Sequence, residues 1–291
     1  MSFDKNDFTW GYEIEWGDID RRLTIPEHLG QWEYSETDVI NKQPEFFNVA
    51  CDPLGIDPPW GGEVNTKPTN TWQEQVDRIM ELKKFFESHG NVPSASFISH
   101  GHIHAFVPGL KEDIDALKRL VAYIRDNQAL TVQAVGAYED FADMKKHKGA
   151  KMYLKLDGGR QMPEYMTSNI INLATDFDHF INLHRAGKDG VSMGRPFRYA
   201  INTYCMKHTG TIEFRCFRDS IDREEIEAQF RFVEMFIDAA LNNGPNVATI
   251  LRENEFKFAP FVWDPVGWEG YLKTKYDKNR GKKERQFFEV A

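Results

Sequence analysis

Four short segments carry side chains able to hold a cation or move a proton. In Trp10-Gly11-Tyr12-Glu13-Ile14-Glu15-Trp16, strand alternation sends Trp10, Tyr12, Ile14 and Trp16 to one face and Gly11, Glu13 and Glu15 to the other. Two carboxylates roughly 7 Å apart on a half-buried face repel each other unless a cation or a base lies between them. In residues 97–107, His100, His102 and His104 share one strand face, a spacing that aims imidazoles at a single ion. Residues 211–217 place Thr211, Glu213, Arg215 and Phe217 on one face, with Ile212, Phe214 and Cys216 on the other. Just upstream, Arg198 and Asn202 likewise point together. Asp52 and Glu63 flank a Pro/Gly-rich loop, residues 53–62, after which Glu63 and Asn65 share a face. Taken singly, each segment has a plainer explanation: an amphipathic edge strand, a half-exposed strand that carries histidines, a within-strand ion pair, a surface loop.

Only a sheet can bring them together. Apolar residues recur at helical spacing in residues 73–89, 111–130, 167–185 and 223–243, and the last of these opens on Asp222 and Glu225 in capping-box spacing. Period-two segments lie at residues 8–16, 46–51, 63–65, 96–107, 198–204 and 211–217. Several of these strands are half polar, whereas a doubly wound parallel sheet needs near-continuous apolar strands. The expected fold is therefore α+β: one mainly antiparallel sheet with helices packed on one face and an open polar face. No linker separates the parts, so residues 1–291 form one expected domain, with segments 145–166 and 273–285 as mobile basic stretches.

Adjacent in such a sheet, the polar faces would make a floor of about four carboxylates, one or two imidazoles and two guanidiniums. Oxygen-rich ligands with few nitrogens and no thiolate suit Mg²⁺ or Mn²⁺ better than structural zinc. Arginines beside such ions suit a polyphosphate, because the planar guanidinium binds phosphate oxygens bidentately.

Glu13-Ile14-Glu15 after Gly11, Glu63 with Thr66 and Pro68, His102-Ile103-His104, Arg198 with Asn202, and Thr211-Ile212-Glu213-Phe214-Arg215 occur in an order that resembles the motifs of the amidoligase family. That family comprises carboxylate–amine ligases related to glutamine synthetase and γ-glutamylcysteine synthetase. The resemblance covers about residues 10–225, and residues 223–291 form a helical and basic extension beyond it. The sequence departs from the pattern at Lys67, where a proline is usual, and in the residues just before His102. The resemblance implies a glutamine-synthetase-like sheet that binds ATP and two or three Mg²⁺ ions. It implies Glu13, Glu15, Glu63, His102 or His104, and Glu213 as metal ligands. Arg215 would bind the transferring phosphoryl group, Arg198 and Asn202 would hold substrate carboxylate or phosphate, and Asp52 would assist the amine. The expected activity is ATP-dependent amide-bond formation through an acyl phosphate, on a small metabolite, a peptide or a modified nucleobase. Its partners are a small-molecule acid and amine.

Two other functions use the same residues. A metal-dependent amide or ester hydrolase also combines His-x-His with carboxylates, but it calls for more histidines on the later strands. A non-catalytic binding protein could keep the sheet without turnover. The composition narrows the field further. With 45 acidic against 36 basic residues and a net charge of −9, the chain is no dedicated nucleic-acid binder, though a nucleotide-linked substrate remains compatible. There is no apolar run of membrane-spanning length and no apolar leader, and three scattered cysteines argue against a disulfide framework. The expected setting is the cytoplasm.

Overall fold

The computed structural model describes residues 2–20, 22–32, 60–95, 100–135, 161–186 and 199–258. The expected strand at 46–51, the basic segment up to residue 160 and the stretch from 259 onward lie outside these residues.

Every strand pairing is antiparallel. The strands are β1 (Thr9–Asp20), β2 (Gly30–Trp32), β3 (Trp60–Thr66), β4 (Ser94–Ala95), β5 (His100–Phe106), β6 (Ile201–Asn202) and β7 (Ile212–Arg218). They form one sheet in the order β2-β3-β1-β5-β7-β6, and β4 pairs with β1 at Trp16 and Gly17. Six α-helices are present among the described residues: α1 (Trp72–Ser88), α2 (Ile114–Val135), α3 (Glu164–Leu173), α4 (Phe177–Leu183), α5 (Arg223–Asn242) and α6 (Val247–Glu253). The fold is thus α+β, as the mixed periodicities indicate.

Among the described residues, helices pack on the face that carries the apolar residues of β1. Trp10, Tyr12, Ile14 and Trp16 are all buried, and Phe230 of α5 packs on Trp10 and Tyr12. Val76, Ile79, Leu82 and Phe86 of α1 and Leu117, Leu120, Val121 and Ile124 of α2 complete this core. Each such large side chain removed from water contributes about 1.5–3 kcal/mol. Helix α5 starts as its spacing predicts: Asp222 Oδ1 accepts the Glu225 N–H at 3.0 Å. It ends at Asn243, which takes the left-handed conformation.

Three expectations are corrected. The segment 167–185 is two helices rather than one, because Ala174 is extended and Asp176 caps a new start by accepting the His179 N–H at 2.8 Å. Among the described residues of the expected strand 198–204, Ile201–Asn202 alone forms strand, and a 3-10 turn, Tyr204–Lys207, follows. The alternation of β7 also breaks. Gly101 faces Phe217 and Ile103 faces Phe214, so two residues, Arg215 and Cys216, lie opposite His102 alone. This bulge turns Phe217 to the helix side, where it meets Phe232 of α5, and pairs Arg218 with His100, while the Arg218 guanidinium reaches Glu225 at the start of α5 at 3.5 Å.

Candidate functional site

The central strand β1 carries the site. In register, Glu13 stands between Asn65 on β3 and His102 on β5, and Glu15 stands beside Glu63. One step along, Gly11 faces His104, His104 faces Glu213 on β7, and Glu213 faces Asn202 on β6. Directly paired residues project to the same side of a sheet. The alternation that buries Trp10, Tyr12 and Ile14 under α5 and α1 therefore puts the whole polar set on the open face. Glu13, Glu15, Glu63, His102, His104, Glu213, Arg215 and Asn202 are all brought together there. Asp52 and Arg198 lie outside the described residues.

Glu13 is the hub. His102 Nδ1 donates to Glu13 Oε2 at 2.7 Å, and His104 Nε2 lies 2.9 Å from Glu13 Oε1. His102 also stands 4.0 Å from Glu15 Oε1 and 4.0 Å from Glu213 Oε1. Beyond it, Glu213 forms a close ion pair with Arg215 and accepts from Asn202 Nδ2 at 2.7 Å. Among the described residues, two sets have ligand atoms gathered closely enough for one cation each: Glu13, Glu63 and His102, and Glu13, His104 and Glu213. Glu15 borders both histidine and Glu63 without belonging to either set.

The charges on this floor are interdependent. Burial works against the Glu13 carboxylate, but the hydrogen bonds and charges of His102 and His104 outweigh it and hold its pKa well below the carboxylate range. Burial likewise opposes the charge on Glu213, yet Arg215, then His104 and His102, pull its pKa down. For His104, burial disfavours the imidazolium, while contacts with Cys205 and Glu13 and the charges of Glu13 and Glu213 prevail, raising its pKa to about 10. Its Nδ1 sits 2.9 Å from Thr211 Oγ1, which meets Thr209 Oγ1 at 2.6 Å, and Thr209 donates to the Cys205 carbonyl at 3.1 Å. With a cation at its Nε2, His104 would lose its proton and keep its ring aimed through this hydroxyl chain.

Some residues of the site escape sequence reasoning. Asn65 lines the open face, and its Oδ1 is buried with no hydrogen-bond partner among the described residues. Its place beside Glu63 was legible, its lack of a partner was not. Asn202 is only 6% exposed, and with Nδ2 turned to Glu213 its buried Oδ1 likewise has no partner among the described residues. Thr209 and Cys205 reach the site only because the 3-10 turn folds back under Thr211. The bulge that brings Arg215 opposite His102 is announced by no periodicity. No helix among the described residues is long and apolar enough to cross a membrane. Compared with known proteins, the chain matches no family profile, no curated protein and no solved structure.

Proposed function

We propose that this protein is an ATP-dependent carboxylate–amine ligase whose open sheet face, glutamine-synthetase-like in plan, holds two divalent cations. The observation that carries the reading is the shared carboxylate: Glu13 belongs to both three-residue sets, so two cations would sit side by side over one floor. Carboxylates with one imidazole each, and no thiolate in either set, suit Mg²⁺ or Mn²⁺. Glu13, Glu63 and His102 would hold one ion, and Glu13, His104 and Glu213 the other, with Glu15 at the edge. Bound there, the ions would offset the charge repulsion between a triphosphate and an anionic acid.

The chain's own groups then have definite tasks. Arg215, beside Glu213, would face the phosphoryl group passing to the acid. The acid's carboxylate oxygen attacks the terminal phosphorus of ATP, ADP leaves, and an acyl phosphate forms. The amine gives its proton to a carboxylate, attacks the acyl carbon, and expels phosphate. Asp52 is the carboxylate assigned to the amine, and Arg198 would hold an anionic group. The role of Asn202 changes: its amide nitrogen serves Glu213, so the oxygen left over accepts, and it would hold a donor rather than a phosphate.

The test is release of ADP from ATP. The reading expects formation that requires Mg²⁺, an acid and an amine together. Cleavage of an amide or ester by the protein without ATP would replace it with the hydrolase.

A further inference from the structure

A pocket of about 340 Å³ opens on the polar face directly over Gly11, at the edge of the second cation set. Gly11 supplies no side chain there, and Glu13, His104 and Asn65 close one end. The side walls are polar in sequence yet offer few free polar groups. Thr66 Oγ1 accepts the Tyr12 N–H and donates to the Tyr12 carbonyl, both at 2.9 Å. Thr211 and Thr209 are spent on one another, on His104 and on the Cys205 carbonyl. What is left to a ligand along these walls is largely apolar, chiefly Pro68 and Phe106, which is 37% exposed. Such a wall selects by shape and apolar contact.

The closed end differs. An oxygen anion there would meet the second cation, while the Oδ1 of Asn65, opposite Glu13 and without a partner among the described residues, calls for a donor. We infer that the pocket over Gly11 binds the acid substrate, and that this acid is an α-amino acid with an apolar or aromatic side chain. Its carboxylate points to the cation held by Glu13, His104 and Glu213, its ammonium points to Asn65, and its side chain lies over Gly11 against Phe106. This rests on the ligase reading for the cation and adds the class of acid.

The experiment follows ring-proton relaxation of L-phenylalanine by Mn²⁺ bound to the intact protein. The wild type is expected to enhance relaxation. Gly11→Val, which fills the floor, should weaken L-phenylalanine binding at least about tenfold. Gly11→Ala controls for folding, because its Cβ meets nothing nearer than the His104 Cβ at 3.6 Å. Thermal unfolding of both variants should match the wild type, and L-glutamate and 2-phenylethylamine should compete poorly. L-Glutamate competing as well as L-phenylalanine would overturn the inference, as would binding that is indifferent to Gly11→Val. So would adenosine occupying the pocket in a Gly11-dependent manner where L-phenylalanine does not. If Mn²⁺ itself fails to bind, the cation reading and this inference fall together. If Mn²⁺ binds and ADP forms without any L-phenylalanine effect, only this inference falls.

Discussion

Glu13 and His104 meet diagonally across the β1–β5 pair with Oε1 and Nε2 2.9 Å apart, and the same carboxylate takes a hydrogen bond through its other oxygen from His102, which stands directly opposite it. One side chain therefore ties together both candidate cation positions. Glu13→Gln should weaken Mn²⁺ at both positions, by at least about a hundredfold each. Glu63→Gln should weaken one and spare the other. Counting bound Mn²⁺ by electron paramagnetic resonance separates the cases, and a Glu13→Gln protein that keeps either ion at wild-type affinity would contradict the shared-carboxylate geometry.

The same contact gives the cation-free protein a defined pH response. The folded pKa of His104 is raised from the ordinary 6.5 to about 10, so its stabilising contribution is whole below 6.5 and is lost as pH rises toward 10. Glu13 and Glu213 have lowered pKa values, so theirs is present above the ordinary 4.5 and lost as pH falls. The difference in Tm between wild type and His104→Gln should be largest near about pH 6 and should shrink toward about pH 10. A difference that stays flat, or grows, across that range would show that His104 carries no extra proton. A cation bound at this position would displace that proton, so calorimetry in two buffers of unlike ionisation enthalpy should show proton release at neutral pH.

How much of this was readable beforehand depends on how local the cause is. The run from Trp10 to Trp16 alternates so cleanly that its faces, and the placing of Glu13 and Glu15, follow from sequence alone. The paired faces of His102, His104 and Glu213 needed only the further assumption of neighbouring strands. The bulge at Arg215 and Cys216 is a different matter. It arises from how β7 is accommodated against β5, and it turns Phe217 to the helix side with no change in the pattern of residue types. The break at Ala174–Asp176 was masked by apolar residues that keep helical spacing on both sides of it. Asn65 and Asn202 each have an oxygen without a partner among the described residues because of what their neighbours already bind, which is a property of the assembled face.

Arg215 and Glu213 are both almost wholly buried and form a close ion pair. Removing one member strands the other charge, which costs about 3–5 kcal/mol. Arg215→Met should therefore lower the urea midpoint strongly, while Arg215→Met with Glu213→Gln should recover much of the loss. Should Arg215→Met cost less than about 1 kcal/mol, in the range of exposed pairs, the two groups would have to be solvated.

Behind the floor, Tyr12 runs along the helix side of the sheet over Gly101 to reach Asp219 and Gln229, with its hydroxyl 3.4 Å from each. Asp219 accepts the Glu15 N–H and the Ser220 N–H, both at 2.8 Å, and so ties β1 to the end of β7 across β5. Burial first, and then the charge of Glu15, raise the Asp219 pKa well above the carboxylate range. A Cβ on Gly101 would lie 1.8 Å from the Tyr12 hydroxyl, so Gly101→Ala must displace that ring. Overpacking of this kind costs about 1–3 kcal/mol. Because Tyr12 and Glu13 are consecutive on β1, moving the ring also moves the hub carboxylate. Gly101→Ala should thus lower Tm and also weaken Mn²⁺ binding, although residue 101 is on the opposite face from the ligands. Asp219→Ala, which strands two buried N–H groups at about 1–3 kcal/mol each, should do both as well. Unchanged Mn²⁺ affinity in a measurably destabilised Gly101→Ala protein would mean that the floor is held independently of the Tyr12 strut.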